Sequence, residues 1–228
     1  MTTAKPLPHP ANPATWKVRR LGLQDYETTW RAMQDFTAQR DAATTDELWF
    51  VEHPAVFTLG LNGRPEHVLA SSEIPVIKVD RGGQITYHGP GQLVTYVLLN
   101  VASRHLGVRE LVQRLEQAVI DLLGEFNVVA TARREAPGVY VGQRKVAALG
   151  LRIRKGCSYH GLALNVAMDL SPFSLINPCG YRGMEVTQLR DLGIDLSVAA
   201  VSERLESHLN EVLGYTSPHF SPDGDRVT

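Results

Sequence analysis

The chain has 228 residues, a net charge of −1 and two cysteines, Cys157 and Cys179. Mixed charge without a basic field argues against nucleic acid as a partner, and no apolar run approaches the length needed to span a membrane. Two thiols do not make a disulfide scaffold and fit a reducing cytoplasm, while the length suits one substantial core.

Residues 1–15 contain Pro and Ala but no apolar stretch, so they read as a flexible tail and not as a secretory leader. Within 22–43, Leu23, Tyr26, Trp30, Met33 and Phe36 recur at helical spacing and predict a helix. Residues 48–51 and 55–59 predict strands, broken at His53-Pro54 because proline removes a ladder donor. Another strand is expected at 74–79.

Residues 81–92 then read Arg-Gly-Gly-Gln-Ile-Thr-Tyr-His-Gly-Pro-Gly-Gln. That is too much glycine for a regular element and too many functional side chains for a plain turn. Glycine allows close backbone approach or positive φ, so the segment reads as a ligand cradle, with a simple hairpin loop as the alternative. A nucleotide phosphate loop is excluded. Such a loop runs into a helix through Gly-Lys-Ser/Thr, whereas Leu93-Val94-Thr95-Tyr96-Val97-Leu98 reads as a buried strand.

Residues 108–126 predict the clearest helix, with Val108, Leu111, Val112, Leu115, Val119, Leu122 and Leu123 on one face. A strand meander follows over 138–141, 145–154 and 159–166, turning at Gly142-Gln143 and Lys155-Gly156. A short helix is expected at 184–191 and a longer one at 198–213. The reading is an α+β fold, a mixed and largely antiparallel sheet flanked by helices. One domain covers 16–214, between tails at 1–15 and 215–228.

Several residues carry chemical potential. Cys179 sits in Asn177-Pro178-Cys179-Gly180, an irregular turn that exposes a thiol. A nucleophilic thiolate needs such access and a neighbour that lowers its pKa; the plain alternative is a cysteine packed as a small hydrophobe. Cys157, near His160, reads as a bystander at a hairpin end. A zinc site built from Cys157, His160 and Cys179 lacks the paired spacing such sites show, so no metal is expected. Lys145 opens a strand that continues Val146-Ala147-Ala148-Leu149-Gly150. There it is either a charge partner for a thiolate or ligand carboxylate, or a solvated hairpin lysine. His160-Gly161-Leu162-Ala163-Leu164-Asn165 is a second strand with small residues, either a pocket wall or ordinary sheet core.

Five segments together resemble the octanoyltransferase family of lipoate biosynthesis. They are Glu52-His53-Pro54 with Phe57-Thr58-Leu59-Gly60, the glycine-rich run 81–92, Lys145 to Gly150, His160 to Asn165, and Asn177-Pro178-Cys179-Gly180, in the family's order across about 17–214. The resemblance implies the fold of the biotin and lipoate protein ligases and a cytoplasmic acyltransferase that needs no cofactor. An octanoyl group would pass from octanoyl acyl carrier protein to Cys179, then to a lysine of lipoyl domains. Those domains belong to 2-oxoacid dehydrogenase complexes and the glycine cleavage H protein. Lys145 would be the partner of Cys179. The acyl chain and its carbonyl would lie against Arg81, Gly82, Gly83, Gln84, Ile85, Thr86, Tyr87 and His88, against Ala148, Leu149 and Gly150, and against Gly161, Leu162 and Ala163. The alternative is an ATP-dependent lipoate or biotin ligase of the same fold, which would need no cysteine.

Overall fold

Alternation along the central strands sends one set of side chains to each face of a large sheet, and the two faces are closed differently. The structure, a computed structural model, describes residues 14–178 and 183–216. In chain order its elements are β1 (Ala14–Leu23), α1 (Tyr26–Gln39), β2 (Asp46–Glu52), β3 (Val56–Leu59), β4 (Val76–Lys78), β5 (Ile85–His88), β6 (Gln92–Leu98), α2 (Val108–Gly124), β7 (Thr131–Ala132), β8 (Gly138–Val141), β9 (Arg144–Arg154), β10 (Cys157–Asn165), α3 (Val198–Leu213) and β11 (Tyr215–Thr216).

Eight strands form one sheet in the order β11-β1-β2-β6-β10-β9-β8-β7, and β4-β3-β5 form a second. Strand β1 runs parallel to β2 and β11, and β3 runs parallel to β4; the central pairs are antiparallel. The fold is therefore α+β with a mixed sheet. On one face Leu48, Phe50, Leu93, Val97, Leu162 and Leu164 pack against Leu111, Leu115 and Leu122 of α2 and Val201, Leu205 and Leu209 of α3. Their alternates, Trp49, Val51, Val94, Tyr96 and Ala163, face Met33 of α1. Each large aliphatic side chain so buried contributes about 1.5–3 kcal/mol. Helix α1 begins where Asp25 Oδ1 accepts the Thr28 N–H at 2.8 Å, and α3 ends on Gly214 at φ +68°.

The structure corrects several sequence expectations. The first strand was not anticipated: β1 starts at Ala14, inside the expected tail, and Leu23 belongs to it and not to the helix. At the other end, Tyr215 is buried, stacks on Trp16 at 4.1 Å and donates to Asp46, so β11 extends past the expected boundary. The remainder of both tail assignments, 1–13 and 217–228, lies outside the described residues. The glycine-rich segment is not loop throughout, because Ile85–His88 pairs with β3 as a strand. No helix forms at 184–191. Instead Val186 bridges Lys145, with Lys145 N–H donating to Glu185 O and Thr187 N–H to Lys145 O, both at 2.9 Å. Those backbone groups are satisfied by β9, and only a short 3-10 turn at Arg190–Leu192 is helical.

Candidate active site

The glycine-rich segment lies over one face of β9 and β10, and glycines make that approach possible. At Gly60 a Cβ would stand 2.5 Å from Gly83 O and 2.9 Å from Arg81 Nη1. At Gly161, which faces Tyr96 in the sheet, a Cβ would stand 2.0 Å from Thr95 O. Between these layers is a cavity of about 500 Å³, counting its open mouth. Its walls come from Arg81, Gly83, Gln84, Ile85, Thr86 and His88, from Ala148, Leu149 and Gly150, and from Gly161, Leu162 and Ala163.

Two expected wall residues are elsewhere. Gly82 donates its N–H to Leu151 O at 2.9 Å and so joins the segment to β9. Tyr87 alternates away from Thr86 and His88 into an aromatic cluster, 5.5 Å from both Phe57 and Phe173. Four further residues line the wall: Tyr26, Val94 and Tyr96, which the sequence does not single out as wall, and His160, which heads a segment it reads as either pocket wall or sheet core. Helical spacing places Tyr26 in a helix stripe, and the apolar run places Val94 and Tyr96 in strand core. The sequence signal at Tyr96 is a hydroxyl inside a largely apolar run, which the neighbouring Thr95 shares.

Polar groups at the cavity are held from behind. Arg81 Nη2 donates to Thr58 O at 2.7 Å and to Thr58 Oγ1 at 2.8 Å, and Nη1 donates to Gly82 O at 3.0 Å. His88 Nδ1 lies 2.7 Å from Gln92 Oε1, and Gln92 Nε2 donates to Asn165 Oδ1 at 2.9 Å. An amide oxygen only accepts, so His88 carries its proton on Nδ1. By the same argument His53 Nδ1 donates to Gln24 O at 2.8 Å, leaving Nε2 to accept from the Tyr96 hydroxyl at 2.7 Å. Burial, with His53 adjacent, brings His88 down to about 3, and burial brings His53 down to about 4. Both are neutral at pH 7. Burial pushes the Tyr26 phenol up to about 12 and holds Tyr96 well above its ordinary value.

His160 has φ +60°, an unusual backbone for a non-glycine residue within a strand. Its Nε2 lies 3.0 Å from Asp80 Oδ1. Burial pushes the Asp80 carboxyl up, but hydrogen bonds from His160, Tyr159, Trp30 and Gln34 outweigh it and hold the group well below the carboxylate range. His160 is lowered by burial, with Asp80 opposing.

Lys145 is not in the cavity wall. It lies three residues before Ala148 on β9, with its side chain buried. Its Nζ donates to Pro137 O at 3.3 Å and stands 5.2 Å from the centre of the Tyr140 ring. Cys179 lies outside the described residues. The chain before it is anchored where Asn177 N–H donates to His67 O at 2.8 Å. The chain after it returns to pair with Lys145 through Glu185 and Thr187. Cys157 is buried, its Sγ 3.8 Å from Lys155 O. Among the described residues no three His, Cys, Asp or Glu side chains are placed to hold a metal ion, and no helix is long and apolar enough to cross a membrane.

A family model described as the lipoyl protein ligase A/B catalytic domain matches residues 25–210. An octanoyltransferase of Nitrosococcus oceani is 56% identical over 218 residues, covering 96% of this chain and 97% of that protein. An octanoyltransferase of Thiobacillus denitrificans is 61% identical over 196 residues, covering 86% of this chain and 90% of that protein. Among solved structures, the crystal structure of lipoate-protein ligase A bound with ATP matches with a TM-score of 0.74 at 17% identity, covering 90% of this chain and 87% of that one. At that identity the likeness is one of fold.

Proposed function

Because this chain belongs to the lipoyl protein ligase A/B catalytic-domain family, and within it to the octanoyltransferases, we propose that it moves an octanoyl group from acyl carrier protein to a lysine of lipoyl domains through a thioester on Cys179. The observation that carries this reading is the path of the chain around Lys145. Glu185, six positions after Cys179, is hydrogen-bonded to the backbone of Lys145, and Lys145 shares its strand with the cavity wall at Ala148, Leu149 and Gly150.

In the first half-reaction the Cys179 thiolate attacks the carbonyl carbon of the octanoyl thioester. The bond to the phosphopantetheine sulfur breaks, and that sulfur leaves as a thiol after taking a proton. One thioester replaces another, so the step is near balance and needs no ATP. In the second, the amine of the acceptor lysine attacks the enzyme thioester, an amide forms, the Cys179 thiolate leaves, and the amine gives up a proton. Amide formation makes this step downhill. A lysine ammonium near a thiol favours the thiolate by about one to three pKa units. Lys145 would serve as that cation and give a proton to the departing phosphopantetheine sulfur in the first step, leaving a neutral amine that takes the acceptor amine's proton in the second. Backbone N–H groups beside the thioester carbonyl would supply an oxyanion hole.

The cavity suits an acyl chain. Gly150, Gly161 and Ala163 present small surfaces to it, and Arg81 and His88 at its edge are fixed by their own hydrogen bonds. The acceptors proposed are lipoyl domains of 2-oxoacid dehydrogenase complexes and the glycine cleavage H protein. The compartment proposed is the cytoplasm, the reducing setting a free nucleophilic thiol needs.

Intact-protein mass spectrometry after incubation with octanoyl acyl carrier protein tests the reading. An octanoyl adduct on Cys179, removed by hydroxylamine and by a lipoyl domain, is expected; absence of any adduct refutes it. The fold shared with an ATP-bound ligase supports a second reading, in which a free acid is activated as its adenylate. A Cys179→Ser variant fully active with ATP would decide for that ligase.

A further inference from the structure

We propose that Glu116 is a positioning residue for Lys145, acting through the single peptide that joins Pro137 to Gly138. The inference rests on the reading of Lys145 as a participant in acyl transfer. The two ends of that peptide are held by opposite charges. Its carbonyl, on Pro137, accepts from Lys145 Nζ at 3.3 Å, and its N–H, on Gly138, donates to Glu116 Oε1 at 2.9 Å.

A carboxylate drawing on the N–H makes the carbonyl oxygen of the same peptide more negative, and that oxygen holds the ammonium more firmly. The arrangement is a chain of carboxylate, peptide and ammonium, with each link strengthening the next. Glu116 is 6% exposed on the face of α2 that otherwise carries Leu115, Val119 and Leu122 to the core. A carboxylate there is costly unless it is hydrogen-bonded. Burial raises its carboxyl, and the Gly138 N–H and Lys145 pull it back.

Position 138 must be glycine for the clamp to close. Its φ is +151°, and a Cβ there would stand 2.6 Å from Ala147 O and 3.0 Å from Lys145 Cε. The neighbouring carbonyl is also tied, since the Tyr140 hydroxyl donates to Ala136 O at 2.8 Å. From β8 the Tyr140 ring faces the ammonium, and Arg133 stands 4.1 Å from the same ring centre. From the segment after 183, Glu185 meets Lys145 through its backbone and its side chain is exposed.

The test compares Glu116→Gln, Glu116→Ala and Lys145→Met in the full chain. It reads steady-state octanoyl transfer, the pH profile of Cys179 alkylation by iodoacetamide, and thermal unfolding. Glutamine keeps an acceptor for the Gly138 N–H and loses the charge; alanine loses both. For Glu116→Ala we expect kcat to fall about tenfold with donor KM within about twofold, and the alkylation profile to move to higher pH because the cation is displaced from the thiol. Glu116→Gln should fall between that variant and the parent and unfold at a temperature near the parent's. A through-space charge effect alone would move both profiles to lower pH, since a negative charge is removed. That outcome, or parental profiles in both Glu116 variants beside a damaged Lys145→Met, overturns the proposal while leaving the role of Lys145 intact. A Lys145→Met enzyme with parental turnover and alkylation removes the reading on which the proposal rests.

Discussion

Asp80 and His160 meet across the base of the glycine-rich segment, with Asp80 Oδ1 3.0 Å from His160 Nε2. The same carboxylate accepts from Trp30 Nε1 at 2.9 Å and Gln34 Nε2 at 3.1 Å on α1, and from the Tyr159 hydroxyl at 2.5 Å on β10. Asp80 directly precedes Arg81. One anion thus ties the first residue of the cradle to a helix on one side and to a cavity-wall strand on the other.

Replacing Asp80 with alanine should therefore destabilise the fold as well as loosen the cradle. It leaves two buried donors, Tyr159 and His160, and two half-buried ones, Trp30 and Gln34, without an acceptor, which costs about 3 kcal/mol or more. Urea unfolding at pH 7 measures this. The folded carboxyl titrates below its unfolded value, so its stabilisation is present above about pH 4 and is lost as pH falls through the folded value. The gap between parent and variant should accordingly narrow in strong acid.

Three histidines around the cavity make the protein acid-sensitive well before the carboxylates titrate. His53, His88 and His160 all have folded values lowered from 6.5, to about 4 for His53 and about 3 for His88. Below that unfolded value the denatured chain takes up protons that the folded one refuses. Stability should be constant above about pH 6.5 and fall below it, each histidine adding a slope of up to about 1.4 kcal/mol per pH unit. Denaturant midpoints from pH 8 to pH 4 give the slope. A flat profile over that range would show that these rings are protonated as easily in the fold as out of it.

Two small residues in the cavity wall should respond differently to enlargement. Gly161→Ala places a methyl group 2.0 Å from Thr95 O. It should break the β6–β10 pairing and cost about 2 kcal/mol or more, read as a lowered melting temperature. Ala163→Leu adds bulk toward the cavity and α1. It should depress octanoyl transfer about tenfold relative to hexanoyl transfer, because overfilling an apolar pocket acts at about 1–3 kcal/mol per step in chain length. Equal kinetics for both chain lengths in that variant would put the acyl chain in another place.

Arg81 offers a sharper test of the cradle. Its guanidinium holds Thr58 O, Thr58 Oγ1 and Gly82 O at once. A lysine presents a point charge and cannot reproduce that fork. Arg81→Lys should lower kcat/KM about tenfold, while Thr58→Val, which removes one acceptor of the three, should cost about threefold. Steady-state kinetics with a melting curve for each variant separates the two effects.

Much of the fold was legible because local periodicity agrees with tertiary burial. The stripe Leu111, Leu115, Leu122 marks α2 whatever it packs on, and the glycine turns between β8, β9 and β10 mark hairpins within a few residues. The strand after the glycine-rich run was equally plain, since Leu93 to Leu98 is apolar on both faces apart from Thr95 and the Tyr96 hydroxyl. The ends were not legible. Strand β1 alternates apolar and polar residues only from Ala14 to Arg19, Arg20 then breaks the pattern, and the strand forms because Asp46 to Glu52 and Tyr215 offer it partners. Residues 184–187 look helical locally but spend their backbone groups on Lys145.

The glycine-rich run, Lys145, and the small residues at 148–150 and 161–163 can be singled out by residue type alone, because glycine and buried charge are rare in strands. Which of them share a cavity depends on sheet order. The pairing Gly161 with both Tyr96 and Gly150 sets β6, β10 and β9 side by side, so residues far apart in the chain form one wall. Side-chain direction within β5 is also a tertiary matter, since its register with β3 sends Tyr87 to Phe57 and Phe173 while His88 faces Tyr26. Glu116 and Asp80 carry no sequence signal at all, one lying on an amphipathic helix and the other at a strand end. Their meaning arises only when folding brings the Gly138 N–H and the His160 ring within hydrogen-bond reach of them. Sequence determined which residues were available to a site; long-range hydrogen bonding decided which of them the site holds in place.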